Sequence, residues 1–455
     1  MSFKVAHITF CFRPDPIGGT EVYVEALAKA LQTRGVTGIV VAPIISSSSQ
    51  WEHQGLKVRR FHVNPKTPDM LRELYGIGDP LAAANFASIL DEEQPDIVHM
   101  HAFTRAVSLR LVREAKLRRI PIIFTYHTPT VSCQRGTLMR WGYEMCDGRL
   151  DLKDCTSCVL HRHGLNKTHS KMLSALPPVV GKMLGRARLS GSYWTALRMS
   201  ELVQLRHSVY RNLISEVDHV VALCQWTEDL LIDHGVPSEK ITVSHHGLTQ
   251  VTGNNYKKLA KPSSGSGKLR IAFMGRLDRT KGVDVIIRAL RELPGLKAEL
   301  DVYGVAQELN GNDYLRKLRL IAADDSRFNF RSPIHSDQAI SCLDEYDLLA
   351  VPSRTFETGP LVVLEAFAAG IPVIGSNLGG IAELVEHEVN GLLVETDSIT
   401  EWKSALQRCA SEGGLLDRLR AGVRPPRSMA TVAGEMMTLY KRLLMAGSRE
   451  RRPFS

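Results

Sequence analysis

Glu357 and Glu365 are two carboxylates eight positions apart, divided by a Gly359-Pro360 break and a run of apolar and small residues. Ionised carboxylates only accept hydrogen bonds, so the pair suits a polyol, whose hydroxyls must donate. Pro360 fits a first helical position, where its missing N–H costs nothing. That puts Glu357 in a loop and Glu365 about two turns down a helix. Gly370 and Pro372 stop the helix, and Val373, Ile374 and Gly375 open a strand. Gly379 and Gly380 then turn into another helix start, which carries Glu383. Helix starts present backbone N–H groups to phosphate. Upstream, Arg276 and Lys281 sit at a strand end and in the loop after it, where two cations would meet a charged leaving group. An Arg-Lys pair in a loop is usually just solvated. Gly18 and Gly19 follow the first strand and precede a helix, a weak signal of close backbone approach to phosphate. His127 closes a strand; taken alone it reads as a structural histidine. His99 and His101 alternate on one strand face, equally compatible with core packing and with lining a site.

These segments resemble, in order, the landmarks of the retaining, nucleotide-sugar-dependent glycosyltransferases of GT-B fold, the group 1 or family 4 enzymes. The quoted features are the spaced glutamates with the following Gly379-Gly380-Ile381-Ala382-Glu383 turn, Gly18-Gly19-Thr20-Glu21, Phe124-Thr125-Tyr126-His127, and Phe273-Met274-Gly275-Arg276 leading to Lys281-Gly282. The resemblance implies an α/β fold of two Rossmann-like domains facing a central cleft. It assigns Arg276 and Lys281 to the donor diphosphate, Glu357 to the transferred sugar, and His127 to the sugar and reaction-centre side. Gly18, Gly19, Gly359, Leu361, Glu365, Gly380 and Glu383 become donor-binding positions, with Glu365 on the ribose. It further implies a UDP-, GDP- or ADP-sugar donor, front-face attack with retention, and no cofactor for catalysis, since no Asp-x-Asp stands in a suggestive loop. Two positions depart from the pattern: Gly359-Pro360 where relatives often have Phe-Gly, and His246-Gly247 where they often have Asn-Gly. A catalytically silent scaffold and a sugar-nucleotide epimerase remain alternatives on this fold.

To position these residues the chain must alternate strands and helices. Length alone, 455 residues, favours two domains. Strands are expected over 4–10, 37–43, 96–101, 121–127 and 218–223, with helices over 21–33, 108–118 and from 227, which implies parallel sheets. The expected organisation is an acceptor-binding domain over 1–253 with a cysteine-containing insert at about 133–215, a linker over 254–268 and a nucleotide-sugar-binding domain over 269–428. A last helix over 429–447 crosses back to the first domain in this family. The serines at 46–49 read as a flexible loop.

Cys133, Cys146, Cys155 and Cys158 cluster in the insert, whereas Cys11, Cys224, Cys342 and Cys409 are scattered. In a reducing compartment four such thiols suit a structural zinc or iron–sulfur site better than disulfides, with ordinary thiols as the alternative. Hydrophobic content of 44% and charged content of 23% are those of a globular protein. The apolar start at 3–10 is short and interrupted by His7, and no apolar run approaches the roughly 20 residues of a membrane span. The expectation is a cytoplasmic protein. A net charge of +9 without a nucleic-acid motif argues against nucleic acid. It fits peripheral attraction to an anionic inner membrane face carrying a glycan or lipid-linked acceptor, with the basic, broken amphipathic stretch at 171–198 as the contact. The bland alternative for that stretch is a helical lid.

Overall fold

The computed structural model describes residues 2–15, 18–67, 69–187, 189, 191–249, 267–305, 311–335 and 337–450. Of the linker expected over 254–268, all but Gly267 and Lys268 lies outside the described residues. The chain divides into two compact units, residues 1–245 with 430–455, and residues 246–429. The last helix, Met429–Glu450, therefore falls largely to the first unit, where the Tyr440 hydroxyl meets His99 Nδ1 at 2.7 Å.

In the first unit, strands β1 (Lys4–Ile8), β2 (Thr37–Ile44), β3 (Ser49–His53), β4 (Leu56–His62), β5 (Ile97–Met100) and β6 (Ile122–Tyr126) are followed by a small hairpin, β7 (Met139–Arg140) and β8 (Glu144–Met145). Then come β9 (His219–Ala222) and β10 (Ile241–Val243). Eight of them make one sheet in the order β10-β9-β6-β5-β1-β2-β4-β3. Its pairs are parallel except for the edge strand β3, which runs antiparallel to β4. β3 begins at Ser49, so the serine run expected as a loop feeds an edge strand. Polar residues are tolerated there because one side of an edge strand needs no partner. The central strands are buried along their whole length, as parallel strands covered on both faces must be.

The second unit holds β11 (Leu269–Arg276), β12 (Ala298–Val305), β13 (Phe328–Arg331), β14 (Leu348–Val351), β15 (Val373–Ser376) and β16 (Gly391–Val394), all parallel, in the order β13-β12-β11-β14-β15-β16. Strand alternation sorts its side chains between two cores. Ile271, Phe273, Leu348, Ala350 and Ile374 pack with the helix Val283–Arg291 and with Trp402 on one face. Ala272, Leu349, Val351 and Val373 pack with Val363 and Phe367 on the other. Helices thus cover both faces, and the loops at the carboxyl ends of β11, β14 and β15 emerge on one edge. That edge is where doubly wound sheets bind ligands.

Candidate functional site

β11 ends at Arg276, and a short 3-10 turn, Arg279–Lys281, follows. Asp278 caps that turn: its Oδ1 accepts the Thr280 N–H at 2.8 Å and also the Thr280 hydroxyl. Gly282 closes it with φ +69°, and a Cβ there would lie 1.9 Å from the Pro352 carbonyl oxygen. Only glycine lets the two loops approach so closely. Arg354 fastens the other side. Its N–H donates to the Thr280 carbonyl at 2.7 Å, and its guanidinium donates to Asp284 at 2.7 and 3.0 Å, to Asp397 and to the Arg279 carbonyl. The Lys281 side chain, so positioned, donates to Glu357 Oε1 at 2.8 Å. Burial pushes the Glu357 carboxyl up, but Lys281, Ser353 and Arg276 together outweigh it and hold the group below its ordinary value. Arg276 itself is about half exposed, with Asp278 Oδ2 3.7 Å from its Nε. A cation pair, one arm anchored and one open, therefore stands beside an ionised carboxylate.

The helix Leu361–Ala368 starts one residue later than the sequence implies. Pro360 is its N-cap, with φ −66° and ψ 116°, and Leu361 is the first helical residue. Proline's missing N–H is equally harmless at a cap, and its extended ψ is what a cap requires. Glu365 consequently lies in the second turn. Unlike Glu357 it has no cation to oppose burial, which pushes its carboxyl up to about 7. The helix N-terminus leaves its first N–H groups, Leu361 among them, without intrahelical acceptors. Gly359 holds φ +148°, and a Cβ there would meet the His246 ring at 2.7 Å. The neighbouring Gly247 is fixed by backbone crowding: a Cβ there would lie 2.6 Å from the Ser428 carbonyl oxygen.

Gly380 plays a part different from the one its glycine turn suggests. Its N–H donates to the Glu357 carbonyl at 2.6 Å, so this amide holds the carboxylate loop in place instead of facing outward. Its missing side chain admits that loop: a Cβ would lie 2.7 Å from the Glu357 carbonyl oxygen. Glu383 is exposed on the following turn. Gly18 is similar. It caps the helix Gly19–Gln32, and its N–H donates to Glu21 Oε2 at 2.9 Å, while Glu21 Oε1 accepts from Thr9. The amides past the cap, from Gly19 onward, are the ones this helix start leaves without intrahelical acceptors.

His127 follows β6 and ends a buried histidine row. His101 Nδ1 lies 3.0 Å from His127 Nε2, and His101 Nε2 lies 3.2 Å from His7 Nδ1. His99 uses its two ring nitrogens on Tyr440 and Thr125, each at 2.7 Å. Burial drives His7 down to about 3, and His99 and His101 well below the usual histidine range, so all three are neutral. His7 Nε2 has no hydrogen-bond partner. A buried orphan acceptor costs less than an orphan N–H. The arrangement that satisfies this has His7 Nδ1–H donating to His101 Nε2 and His101 Nδ1–H donating to His127 Nε2. The ligand nitrogens of His7, His99 and His101 lie within 4.8 Å of one another, yet five of these six ring nitrogens are already hydrogen-bonded. The ring nitrogens of the cluster are thus committed to one another and to Tyr440, Thr125 and His127.

Sequence reasoning missed Asp278, Asp284 and Arg354, which position Lys281. Their partners lie far along the chain, and only the Asp278-x-Thr280 spacing carried a local signal. The four clustered cysteines line one cavity of the first unit together.

Two family models match the chain: "Glycosyl transferases group 1" over residues 256–424, and "Glycosyltransferase Family 4" over residues 17–159. A D-inositol 3-phosphate glycosyltransferase of Rhodococcus jostii is 33% identical over 221 residues, covering 46% of this chain and 49% of that protein. The chain thus matches about half the length of this curated relative. Among solved structures, sucrose-phosphate synthase of Thermosynechococcus elongatus matches with TM-score 0.66 and 18% identity over 98% of this chain and all of that one. Anabaena HepE in complex with UDP and glucose matches with TM-score 0.62 and 18% identity over 96% of this chain and 99% of that one. At such identities the likeness is one of fold. With one model on each unit and the fold shared over nearly the whole length, the chain belongs to the group 1 glycosyltransferases of GT-B fold.

Proposed function

We infer that this chain transfers a glycosyl group from a nucleoside diphosphate sugar to a hydroxyl acceptor, with retention of anomeric configuration and without a divalent ion at the diphosphate. The observation that carries the reading is the Lys281–Glu357 contact at 2.8 Å, fastened by Asp278, Gly282 and Arg354 and completed by Arg276. As the bond between the sugar C1 and the diphosphate oxygen breaks, negative charge grows on the departing phosphate. Lys281 and Arg276 are placed to stabilise that charge, which is the service a metal performs elsewhere. Glu357 accepts from hydroxyls of the transferred sugar, and Glu365 from the ribose diol. The acceptor oxygen attacks C1 on the face the phosphate leaves, and the departing phosphate oxygen takes the acceptor proton. His127 serves the sugar side, as the family resemblance implies. The step asks nothing of the cysteine-lined cavity.

The acceptor is read as a glycan, polyol or lipid-linked hydroxyl compound in glycoconjugate assembly; the Rhodococcus relative is named for a polyol phosphate. No helix among the described residues is long and apolar enough to cross a membrane. Peripheral attachment is favoured by the helices Lys167–Ser174, Pro178–Arg186 and Ser192–Leu197. There Met172, Val179, Met183 and Tyr193 are exposed beside the exposed Lys171, Lys182 and Arg186. Donor class is tested by a thermal-shift panel of UDP-, GDP- and ADP-sugars in chelator. Stabilisation by one series that is lost in Lys281→Ala supports the reading, and no shift with any of them rejects it.

A further inference from the structure

We propose that Cys133, Cys146, Cys155 and Cys158 hold an iron–sulfur cluster in the cavity they line. Three separate pieces of chain bring them there. Cys133 follows the turn Pro129–Val131, its N–H donating to the Pro129 carbonyl at 2.8 Å. Cys146 leaves β8 with its N–H on the Leu138 carbonyl at 2.9 Å. Cys155 and Cys158 stand one turn apart on the helix Leu152–Arg162, and so share a face. The thiols of Cys133, Cys146 and Cys158 are each near enough to act electrostatically on that of Cys155. None of the four is in a disulfide.

Size decides the occupant. The four thiols line one partly open cavity of about 290 Å³. A tetrahedral zinc with Zn–S bonds of about 2.3 Å would draw four sulfurs to roughly 3.8 Å from one another. Among the described residues, the group whose ligand atoms are placed to hold one metal ion together is the histidine group, and the four cysteines do not form such a group. Thiolates spread around a central space match a polynuclear cluster, in which each iron takes its own cysteine. The cavity lining balances three arginines against Asp147, Asp151 and Asp154. Arg135, Arg140 and Arg149 line the cavity, and the Trp141 N–H donates to Cys158 Sγ at 3.4 Å, the kind of contact that tunes cluster sulfur. Of the three carboxylates there, Asp154 is paired with Arg140 at 2.5 Å, Asp151 caps the cysteine-bearing helix, and Asp147 lies 3.8 Å from Arg149 Nε. The cluster ties three chain segments of the insert together, a structural role outside the transfer step.

The test is metal and acid-labile sulfide analysis of the full chain purified without oxygen, before and after reconstitution with ferrous iron and sulfide. The proposal predicts about two or about four irons per chain with matching sulfide, and a visible absorption that dithionite bleaches. Cys155→Ser with Cys158→Ser should lose most of the iron, whereas Cys342→Ser, outside the cavity, should keep it. Far-UV circular dichroism and limited proteolysis of the first unit, which carries the cysteines, report on folding, so a misfolded double variant is recognised. Stoichiometric zinc without iron, disulfides without metal, failure to take up iron on reconstitution, or full iron in a folded double variant would each overturn the proposal.

Discussion

Replacing Lys281 by alanine removes the cation that neutralises Glu357 and that we propose faces the diphosphate. At 2.8 Å, with an effective dielectric of about 20, the gross attraction between the two charges is about 6 kcal/mol. Desolvation takes much of this back. What the transition state loses is closer to the cost of one preorganised charge contact, about 3 kcal/mol, or roughly 10²-fold in kcat. A second consequence separates this account from a simple loss of charge. In the wild type, burial raises the Glu357 carboxyl while Lys281, Ser353 and Arg276 lower it to a net position below the ordinary value. Without Lys281, burial is less opposed and the pKa rises. Glu357 then takes up a proton at a higher pH than in the wild type, and the acid limb of kcat/KM moves upward. The stability that a depressed carboxylate contributes, present above its unfolded pKa and lost as pH falls through the folded one, also disappears. The assay is initial-rate transfer from about pH 5 to about pH 9 for wild type and variant, with thermal unfolding in parallel. Near-wild-type rates in a folded variant, or an acid limb that does not move, would refute the reasoning.

Glu365→Gln should weaken donor binding chiefly above pH 7, where the wild-type carboxyl, pushed up to about 7, becomes an acceptor-only carboxylate. A raised carboxyl costs stability as pH rises from the unfolded value through the folded one. The same variant should therefore unfold at a higher temperature than wild type at about pH 8 and at the same temperature near pH 4; a uniform difference would contradict this. Gly282→Ala places a Cβ 1.9 Å from the Pro352 oxygen at φ +69°, so about 1–3 kcal/mol of stability and most activity should be lost, read by denaturant melts and rates. His101→Phe breaks the proton order behind His127 and should lower kcat by about tenfold with donor KM nearly unchanged, while nitrogen NMR shows His127 Nε2 losing its hydrogen bond from His101. Co-sedimentation should favour anionic over neutral vesicles and decline with salt, since each basic residue near the surface contributes about 1 kcal/mol; equal partitioning would make the charge a matter of solubility.

How much is legible in the sequence follows from where the information lies along the chain. Glu357, Glu365 and the glycines around them are neighbours in sequence, so spacing alone suggests their loop and helix. Pro360 falls one position from its expected place because caps and first turns tolerate proline alike. The doubly wound character is readable from apolar runs, whereas the order of strands is not, because parallel neighbours such as β1 and β5 are joined only through long crossovers. That is why His7 within β1, His101 just after β5 and His127 just after β6, each unremarkable alone, cannot be seen as one row. Arg354 reaches Asp284 across 70 positions, and nothing local marks it. Gly380 reads in sequence as a ligand-facing amide because a glycine turn looks the same whether its N–H meets a phosphate or, as here, the chain's own carbonyl.

The central claim, that Arg276 and Lys281 hold the diphosphate of a sugar nucleotide in place of a metal, is tested most directly by donor-binding calorimetry in chelator. The comparison is wild type against Arg276→Ala with Lys281→Ala, using the sugar nucleotide that stabilises the wild type most. The account predicts binding to the wild type unaffected by chelator and no measurable binding to the folded double variant. Binding that requires added magnesium or manganese, or that survives loss of both cations, would contradict it.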